Sequence, residues 1–414
     1  MCGICGLVSL DGVSSRDRAA LATMNETMAH RGPDSEGTLA DGPVGLAVRR
    51  LSIIDLEGGD QPIGNEDRRV QVVQNGEIYN YRELRAELER RGHRFSTRSD
   101  TEVLVHLYEE RGPRFVDALR GMFAVALWDS RERRLVLARD RFGIKPLYYR
   151  IAGPTLSFGS ELKALLSVPG FEREVDLDAL EAFLAFNSIP APLTIFSGVR
   201  KLPPGHILIW EGREPQVARY ARPRPVAAED GVVAERYGTD HHELVIRPDA
   251  AELLPRLVEA FDEPFADSSA LPTYLVSELA AGSVKVALSG EGGDELFGGY
   301  YTYVADQIAP RLAPAARALR GVVERLPSST AKVGLDYKAK RFVRGAHLPP
   351  LERHHAWKEI FSSDARAELV ARRRDGISNP SICIAPATRR PRGPSRWRAS
   401  RTSTSASTSW TTCW

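Results

Sequence analysis

The second residue of the chain is a cysteine that can act as a nucleophile with its own base. Met1 precedes it, and a Met followed by a small residue is normally removed, which leaves Cys2 with a free α-amine. That amine titrates near pH 8 and can accept the thiol proton. Two other interpretations stay open: a small residue buried on a first strand, or a redox or zinc pair with Cys5. No second pair completes such a zinc site, because Cys383 and Cys413 lie far along the chain.

Five further polar segments follow within the first 150 residues. They read HRGPD at 30–34, RLSIID at 50–55, NGEIYN at 75–80, SDTE at 99–102 and RDRFGIKPLY at 139–148. Taken singly, each has an ordinary structural explanation. Asn75 and Gly76 are typical of a type I′ hairpin turn. Arg50, Glu77 and Asp100 are typical of surface ion pairs.

Together with Cys2, these segments resemble the class II glutamine amidotransferase domain of the asparagine synthetase family. The resemblance covers residues 2 to about 210, and the segments occur in the family's order. It implies that the Cys2 thiolate attacks the side-chain amide of glutamine while the Cys2 amine takes the proton. Asn75, through its side-chain amide, and Gly76, through its backbone N–H, would then stabilise the oxyanion. One departure is Val48, where such domains commonly carry His.

The same resemblance assigns the residues that would bind the glutamine substrate. Arg50 would hold the α-carboxylate through its bidentate guanidinium. Glu77 and Asp100 would receive the ammonium group. The first half of the chain is therefore expected to contain a complete glutaminase site.

In the second half, a Gly-rich acidic loop follows an apolar run at residues 284–288. We expect the run to be a parallel strand, and the loop reads SGEGGDELFGG at 289–299. The loop resembles the second conserved loop of the asparagine synthetase domain, as do residues 238–243 and 262–269. The resemblance implies ATP and Mg²⁺ as cofactors, with nucleotide or intermediate binding by Ser289, Gly290, Glu291 and Asp294. A solvated acidic turn is the alternative.

The family's pyrophosphate-binding loop is absent from this sequence. Its form is Ser-Gly-Gly-x-Asp-Ser, and its place lies between Tyr220 and a helix expected at 231–236, where only residues 221–230 stand. Phosphates need aligned backbone N–H donors, so ATP should bind weakly. A Lys-Val-Asp-Arg-Met-Ser stretch, whose lysine contacts phosphate in the family, is also absent. We therefore expect an impaired synthetase step.

The last segment, residues 377–414, has no periodicity and the composition of a chain without regular structure. The last five residues must be encoded TGG-ACN-ACN-TGY-TGG. A shift of the reading frame by one nucleotide gives an amino-acid sequence compatible with the Leu-x-Asp-Asp-Met-Leu motif that precedes the phosphate-contacting lysine in the family. We therefore predict an out-of-frame tail, with a basic arm for nucleic acid as the alternative.

Alternating β-like runs and helical patterns must position the glutaminase residues. The runs lie at 44–48, 70–73, 123–128, 135–138, 147–149 and 206–210, and the helical patterns at 16–30, 81–91 and 176–186. Further helical patterns lie at 253–261, 273–281, 304–326 and 351–370. With the resemblance, this order predicts an α+β N-terminal nucleophile hydrolase sandwich of layered antiparallel sheets and helices, followed by an incomplete α/β nucleotide-binding synthetase domain. The expected domains are 2–210 and 211–376, followed by the tail at 377–414.

The composition is typical of a globular cytoplasmic protein. Hydrophobic residues make up 43% of the 414 residues, and no run approaches the length of a membrane span or a signal peptide. Four cysteines make no disulfide framework, which fits a reducing compartment. Residues 1–370 carry 47 basic and 53 acidic side chains, so we expect no nucleic-acid partner. No metal site is assigned, because His241 and His242 are better explained as solvated side chains.

Three functions stay open. The first is a glutamine-dependent asparagine synthetase, in which ammonia released at Cys2 amidates an ATP-activated aspartate. The second is a stand-alone glutaminase or an inactive truncated paralogue. The third is an amidotransferase with another acceptor, such as a β-lactam synthetase or a polysaccharide-modifying enzyme. The expected partners are glutamine, aspartate and ATP, without a membrane, and a homodimer is left open.

Overall fold

Two six-stranded sheets dominate the first part of the computed structural model. It describes residues 2–9, 11–212, 214–222, 250–267, 269–287, 289–290, 292–327 and 334–374. The first sheet contains β1 (Gly3–Ser9), β2 (Ser35–Asp41), β3 (Val44–Arg50), β8 (Tyr148–Ala152), β9 (Thr155–Gly159) and β10 (Val199–Lys201). The second contains β4 (Ile63–Gly64), β5 (Val70–Ile78), β6 (Gly121–Asp129), β7 (Arg134–Arg139), β11 (His206–Trp210) and β12 (Gln216–Arg219).

Every neighbouring pair of strands in both sheets is antiparallel. The strand order is β10-β8-β9-β1-β3-β2 in the first sheet and β12-β11-β7-β6-β5-β4 in the second. The candidate nucleophile immediately precedes β1, and β5 carries the candidate oxyanion donors. Each sheet therefore brings one part of the predicted site.

Twelve α-helices are described. They are α1 (Ser15–Glu26), α2 (Tyr81–Arg90), α3 (Glu102–Arg111), α4 (Leu162–Leu166), α5 (Leu177–Phe186), α6 (Ala250–Phe261), α7 (Ala270–Ala281), α8 (Gly293–Phe297), α9 (Tyr301–Glu324), α10 (Leu335–Gly345), α11 (Pro350–Lys358) and α12 (Ser363–Arg374). Short 3₁₀ turns lie at Ala29–Arg31 and Gly112–Ala118. Helix α1 begins with a capping box, in which Ser14 and Asp17 each accept the other's backbone N–H. None of the described helices is long and apolar enough to span a membrane.

Alternation along the strands divides the apolar side chains between three buried layers. Ile4 of β1 and Val73 of β5 point into a core between the two sheets. Leu7 of β1 joins a second core that contains residues of α1, α4 and α5. Val72 of β5 joins a third core with residues of α2 and α3. Because helices cover both outer faces, the strands are apolar on both sides, and the layered α+β sandwich predicted from the sequence is confirmed.

Two sequence-based interpretations are wrong. The run at 284–288 is not a strand over its described residues 284–287, and no strand is described between residues 250 and 374. A parallel strand needs a neighbour for its backbone hydrogen bonds, and the described part of this region offers none. Asn75 and Gly76 form no hairpin turn either, because both lie within β5 and pair with β6.

The chain divides into two units. The first comprises residues 1–183 and 187–285, and the second residues 184–186 and 286–414. Within the second unit, α9, α10 and α11 enclose a small core that includes Ala309, Val343 and Trp357. The predicted tail at 377–414 lies outside the described residues.

Candidate active site

Cys2 immediately precedes β1, on the side of the strand that faces the inter-sheet core. It is half-buried, and its Sγ lies 3.8 Å from the carbonyl oxygen of Leu51. Cys5 is fully buried in the core beneath the helices, where burial raises the pKa of its thiol. Both cysteines are free and belong to different cores. The alternative of a Cys2–Cys5 redox or zinc pair is therefore wrong.

A buried ion pair holds the backbone of the candidate nucleophile. Arg31 Nε donates to the carbonyl oxygen of Cys2 at 3.0 Å, and Arg31 Nη1 donates to Glu161 Oε1 at 2.8 Å. His30 Nε2 lies 3.0 Å from the same Glu161 oxygen. Burial alone would raise the pKa of Glu161, but His30, Arg31 and Lys163 lower it to about 2. Glu161 is therefore a carboxylate at neutral pH, and it fixes Arg31 against Cys2.

Asn75 is the strongest structural signal in the site. Its side chain is fully buried, and neither its Nδ2 nor its Oδ1 has a hydrogen-bond partner. Such buried, unpaired amides are rare and costly, and they mark places where another partner is expected to bind. By strand alternation Asn75 points to the same inter-sheet side as Val73. That is also the side on which Cys2 lies.

The neighbouring glycine is required by the backbone. Gly76 has a φ of +141°, and a Cβ at this position would lie 2.0 Å from the carbonyl oxygen of Met122. No other residue fits this conformation beside β6. Gly76 therefore keeps the β5 backbone in an unusual path directly after the Asn75 amide.

Two carboxylates follow on the same part of the molecule. The Asp100 side chain is buried and accepts the backbone N–H of Ile78 at 2.8 Å and Gln74 Nε2 at 3.1 Å. Burial raises the pKa of Asp100. Burial, followed by the charge of Asp100, raises the pKa of Glu77. Two neighbouring carboxylates repel each other when both are charged, and a cation bound between them relieves that repulsion.

Lys145 interacts electrostatically with both Glu77 and Cys2, and the sequence assigns it no role. Its side chain is buried, and burial and then Arg31 lower its pKa, while the charges of Asp140, Glu77 and Cys2 act in the opposite direction. Asp140 builds the turn that places it, since Asp140 Oδ2 accepts the backbone N–H of Lys145 at 3.0 Å. The segment at 139–148 thus brings a buried cation into the electrostatic environment of Cys2.

Arg50 is buried and bound to the loop that follows β3. Its Nη2 donates to the carbonyl oxygens of Ile54 at 3.1 Å and Asp55 at 2.6 Å, and its Nη1 lies 2.8 Å from Asp60 Oδ1. The Asp60 side chain is largely exposed. Because Gly3 pairs with Arg49, the structure places Arg50 next to the Cys2 segment. The guanidinium of Arg50 already contacts one exposed carboxylate, that of Asp60.

The residues singled out in the second half are only partly described. Ser289 and Gly290 lie in a segment without regular structure, and Asp294 lies in the first turn of α8. Glu291 lies outside the described residues. The valines of the preceding run, Val284 and Val286, are about half exposed, at 49% and 54%.

Sequence reasoning missed three contributors to the site. Arg31 and Lys145 lie in the segments quoted above, but their roles appear only once the chain has folded. Glu161 has no local signal, because it is separated by 130 residues from Arg31, the residue it holds.

Family models match both parts of the chain. A model described as a glutamine amidotransferase domain matches residues 1–221, and one described as asparagine synthase matches residues 224–409. The second match extends into the predicted tail, whose out-of-frame origin stays a prediction.

Curated relatives carry the same description. Asparagine synthetase [glutamine-hydrolyzing] 1 of Bacillus subtilis is 32% identical over 443 residues, which covers 89% of this chain and 70% of the relative. Synthetase 2 of the same organism is 43% identical over 215 residues, which covers 50% of this chain and 28% of the relative. Among solved structures, the glutamine phosphoribosylpyrophosphate amidotransferase of B. subtilis matches with 20% identity and a TM-score of 0.39, over 53% of this chain and 49% of that chain.

Proposed function

Because the chain belongs to the glutamine-hydrolysing asparagine synthetase family, we propose that residues 2–210 hydrolyse glutamine at Cys2. The observation that carries this proposal is Asn75, whose buried amide has two unpartnered polar atoms on the inter-sheet side where Cys2 lies. An amide held in this way is ready to donate to an oxyanion without breaking an existing hydrogen bond.

In the proposed reaction, the Cys2 thiolate attacks the side-chain amide carbon of glutamine, and the carbonyl oxygen becomes an oxyanion. Asn75 Nδ2 and the backbone N–H of Gly76 donate to that oxygen. The amide nitrogen takes a proton from the Cys2 ammonium and leaves as ammonia, which gives a γ-glutamyl thioester. Water then attacks the thioester and releases glutamate. Arg31 keeps Cys2 in position through its hydrogen bond to the Cys2 carbonyl oxygen.

The substrate is held by charge at both ends of its backbone. Arg50 would bind the α-carboxylate of glutamine at the guanidinium edge that now contacts the exposed carboxylate of Asp60. Glu77 and Asp100 would bind the α-ammonium, which removes their mutual repulsion. This arrangement favours free amino acids with a carboxamide side chain over glutamine residues within a peptide chain, where both charges are absent.

For the second half we propose that the family reaction, transfer of ammonia to an ATP-activated aspartate, is impaired. The described residues do not fit a nucleotide site, because the strand expected at 284–288 is not formed over its described residues and its valines are half exposed. The 443-residue alignment with the B. subtilis relative is longer than this 414-residue chain, which supports a segment that is lacking here. The domain boundaries 2–210, 211–376 and 377–414 and a cytoplasmic location belong to the same proposal.

The test is to measure glutamate, asparagine and pyrophosphate from one reaction with glutamine, aspartate, ATP and Mg²⁺. We expect glutamate without asparagine or pyrophosphate, and a glutamate rate that does not respond to ATP. Cys2→Ala should lose the glutaminase activity by several orders of magnitude, because the nucleophile is removed. Cys5→Ala is the matched control and should retain it. Mass spectrometry of active protein should show that Met1 is absent.

Four results would contradict the proposal. Glutaminase activity in Cys2→Ala above a few per cent of the original would reject the nucleophile. Aspartate-dependent pyrophosphate release would reject the impaired synthetase step and support a complete asparagine synthetase. Absence of glutamate in the unaltered protein would favour the inactive paralogue. Pyrophosphate that depends on an acceptor other than aspartate would favour the third alternative.

A further inference from the structure

Four side chains far from Cys2 in sequence form a cluster of metal-binding type. Glu66, His93, His106 and Glu109 each offer one ligand atom, and these four atoms all lie within 4.8 Å of one another. Glu66 lies between β4 and β5, His93 follows α2, and the other two lie on α3. We call these four side chains the His/Glu cluster.

The distances within the His/Glu cluster match a tetrahedral set of ligands. His106 Nδ1 lies 3.2 Å from His93 Nδ1, 3.6 Å from Glu109 Oε2 and 3.7 Å from Glu66 Oε2. His93 Nδ1 lies 3.8 Å from Glu109 Oε2. Ligands at about 2.0–2.1 Å from a tetrahedral zinc ion are separated by about 3.3 Å, so a small contraction brings this set to coordination distance.

The second nitrogen of each imidazole faces a carboxylate. His93 Nε2 lies 3.1 Å from Glu110 Oε1. His106 is fully buried, its Nε2 has no hydrogen-bond partner, and the nearest carboxylate oxygen, Glu102 Oε1, lies at 3.9 Å. Metal-binding histidines typically donate their other ring N–H to a carboxylate, which is the arrangement of His93 and Glu110.

The second oxygen of each carboxylate is also held. Asn65 Nδ2 donates to Glu109 Oε1 at 2.7 Å, and the backbone N–H of Arg94 donates to Glu66 Oε1 at 3.1 Å. In both glutamates the other oxygen, Oε2, is the one that faces the imidazoles. The ligand atoms are therefore oriented by bonds made outside the cluster, as in a preorganised metal site.

We propose that the His/Glu cluster binds one divalent transition-metal ion, with Zn²⁺ as the reference. Two imidazole nitrogens with two carboxylate oxygens favour zinc-like ions over Mg²⁺ or Ca²⁺, which prefer oxygen alone. Two carboxylates also balance the charge of the ion. Four protein ligands leave no open position, so the site is structural. It would tie α3 to the chain segments that contribute Glu66 and His93, and α3 begins two residues after Asp100 of the glutamine site.

The test uses the full chain, freed of metal by a chelator and dialysed. Titration with Zn²⁺ by calorimetry, and with Co²⁺ by visible absorption, should show one ion bound in tetrahedral geometry. His93→Gln and Glu109→Gln should each lose that ion. Glu110→Gln should weaken its binding by about 10- to 100-fold, since it removes only an outer partner. His206→Gln makes the same change at a half-buried imidazole outside the cluster and should bind like the unaltered protein.

Circular dichroism of each variant separates loss of the ion from loss of the fold. Since neither the His93 nor the Glu109 side chain is fully buried and glutamine keeps a polar group at each position, both variants should keep the spectrum of the metal-free protein. The proposal is overturned if the folded, unaltered chain binds neither Zn²⁺ nor Co²⁺ at micromolar concentration. It is also overturned if folded His93→Gln and Glu109→Gln bind the ion unchanged. Either result would leave the two imidazoles as a hydrogen-bonded pair.

Discussion

Replacing Asn75 with leucine should raise stability and lower activity at the same time. Both polar atoms of the Asn75 amide are buried without a partner. A buried unsatisfied group costs about 1–3 kcal/mol, and leucine keeps the branched shape of asparagine, with a larger volume, without any polar atom to leave unpaired. We expect the free energy of unfolding to increase by about 1–3 kcal/mol. For a domain of about 200 residues this corresponds to a melting temperature higher by roughly 2–12 °C.

The same substitution removes the side-chain donor for the oxyanion. Loss of one such donor typically lowers kcat by about 10²- to 10³-fold, whereas glutamine KM should change little. Steady-state glutaminase kinetics and thermal unfolding of the same preparation measure the two effects. A binding group that is buried without a partner lowers stability and supports activity, so its removal should raise the free energy of unfolding and lower kcat.

Asn65 provides the matched control. It is also buried, but its Oδ1 accepts the backbone N–H of Val70 at 3.0 Å and its Nδ2 donates to Glu109. Asn65→Leu leaves those partners unpaired and should lower the stability of metal-free protein by about 1–3 kcal/mol. If Asn75→Leu were destabilising to the same extent, or if its kcat were unchanged, the oxyanion assignment would be refuted.

Three further predictions concern the charged groups of the site. Arg50→Lys should raise glutamine KM more than it lowers kcat, because a point charge replaces a planar fork; steady-state kinetics measure both. Because the pKa values of Glu77 and Asp100 are raised, both carboxylates lose their charge at a higher pH than ordinary carboxylates, which titrate near pH 4. As the pH falls, glutamine KM should therefore begin to rise while the pH is still above about 4. Protonation relieves the unfavourable burial of both charges, so these groups make the fold more stable as pH falls and do not themselves cause unfolding. A KM that stays flat while the protein remains folded would contradict the ammonium site. Glu161→Gln should cost up to roughly 3 kcal/mol above pH 4.5 in denaturant unfolding, and the difference should vanish as pH falls toward 2.

The sandwich could be predicted because its strands are bounded by clear turns and carry dense apolar runs. The runs at 70–73, 123–128 and 206–210 lie within β5, β6 and β11. Periodicity could not assign each strand to a sheet, because helices cover both outer faces and every position of β1 is buried. Only the three-dimensional packing distinguishes the inter-sheet face from the helix-covered face.

The candidate site was predictable where one segment carries a whole function, and not where segments must meet. Asn75, Gly76 and Glu77 form one continuous signal. Glu161 and the His/Glu cluster have no such signal, since their members come from separate parts of the chain. Only the His106–Glu109 spacing on α3, at i and i+3, places two cluster residues on one helix face.

The apolar run at 284–287 forms no strand, and helix α9 likewise has apolar side chains that are exposed among the described residues. One stripe of this helix, which includes Ala309 and Ala316, packs in the core that α9 forms with α10 and α11. Another stripe carries large apolar side chains that stay exposed among the described residues: Val304, Ile308, Leu312, Leu319 and Val322. Their spacing is that of a helix face that packs against a further layer. Within the described residues, an apolar run that pairs with no strand and a helix face with exposed apolar side chains are what we expect when part of an α/β core is lacking, so both support the proposed incomplete synthetase domain inferred from the absent Ser-Gly-Gly-x-Asp-Ser loop.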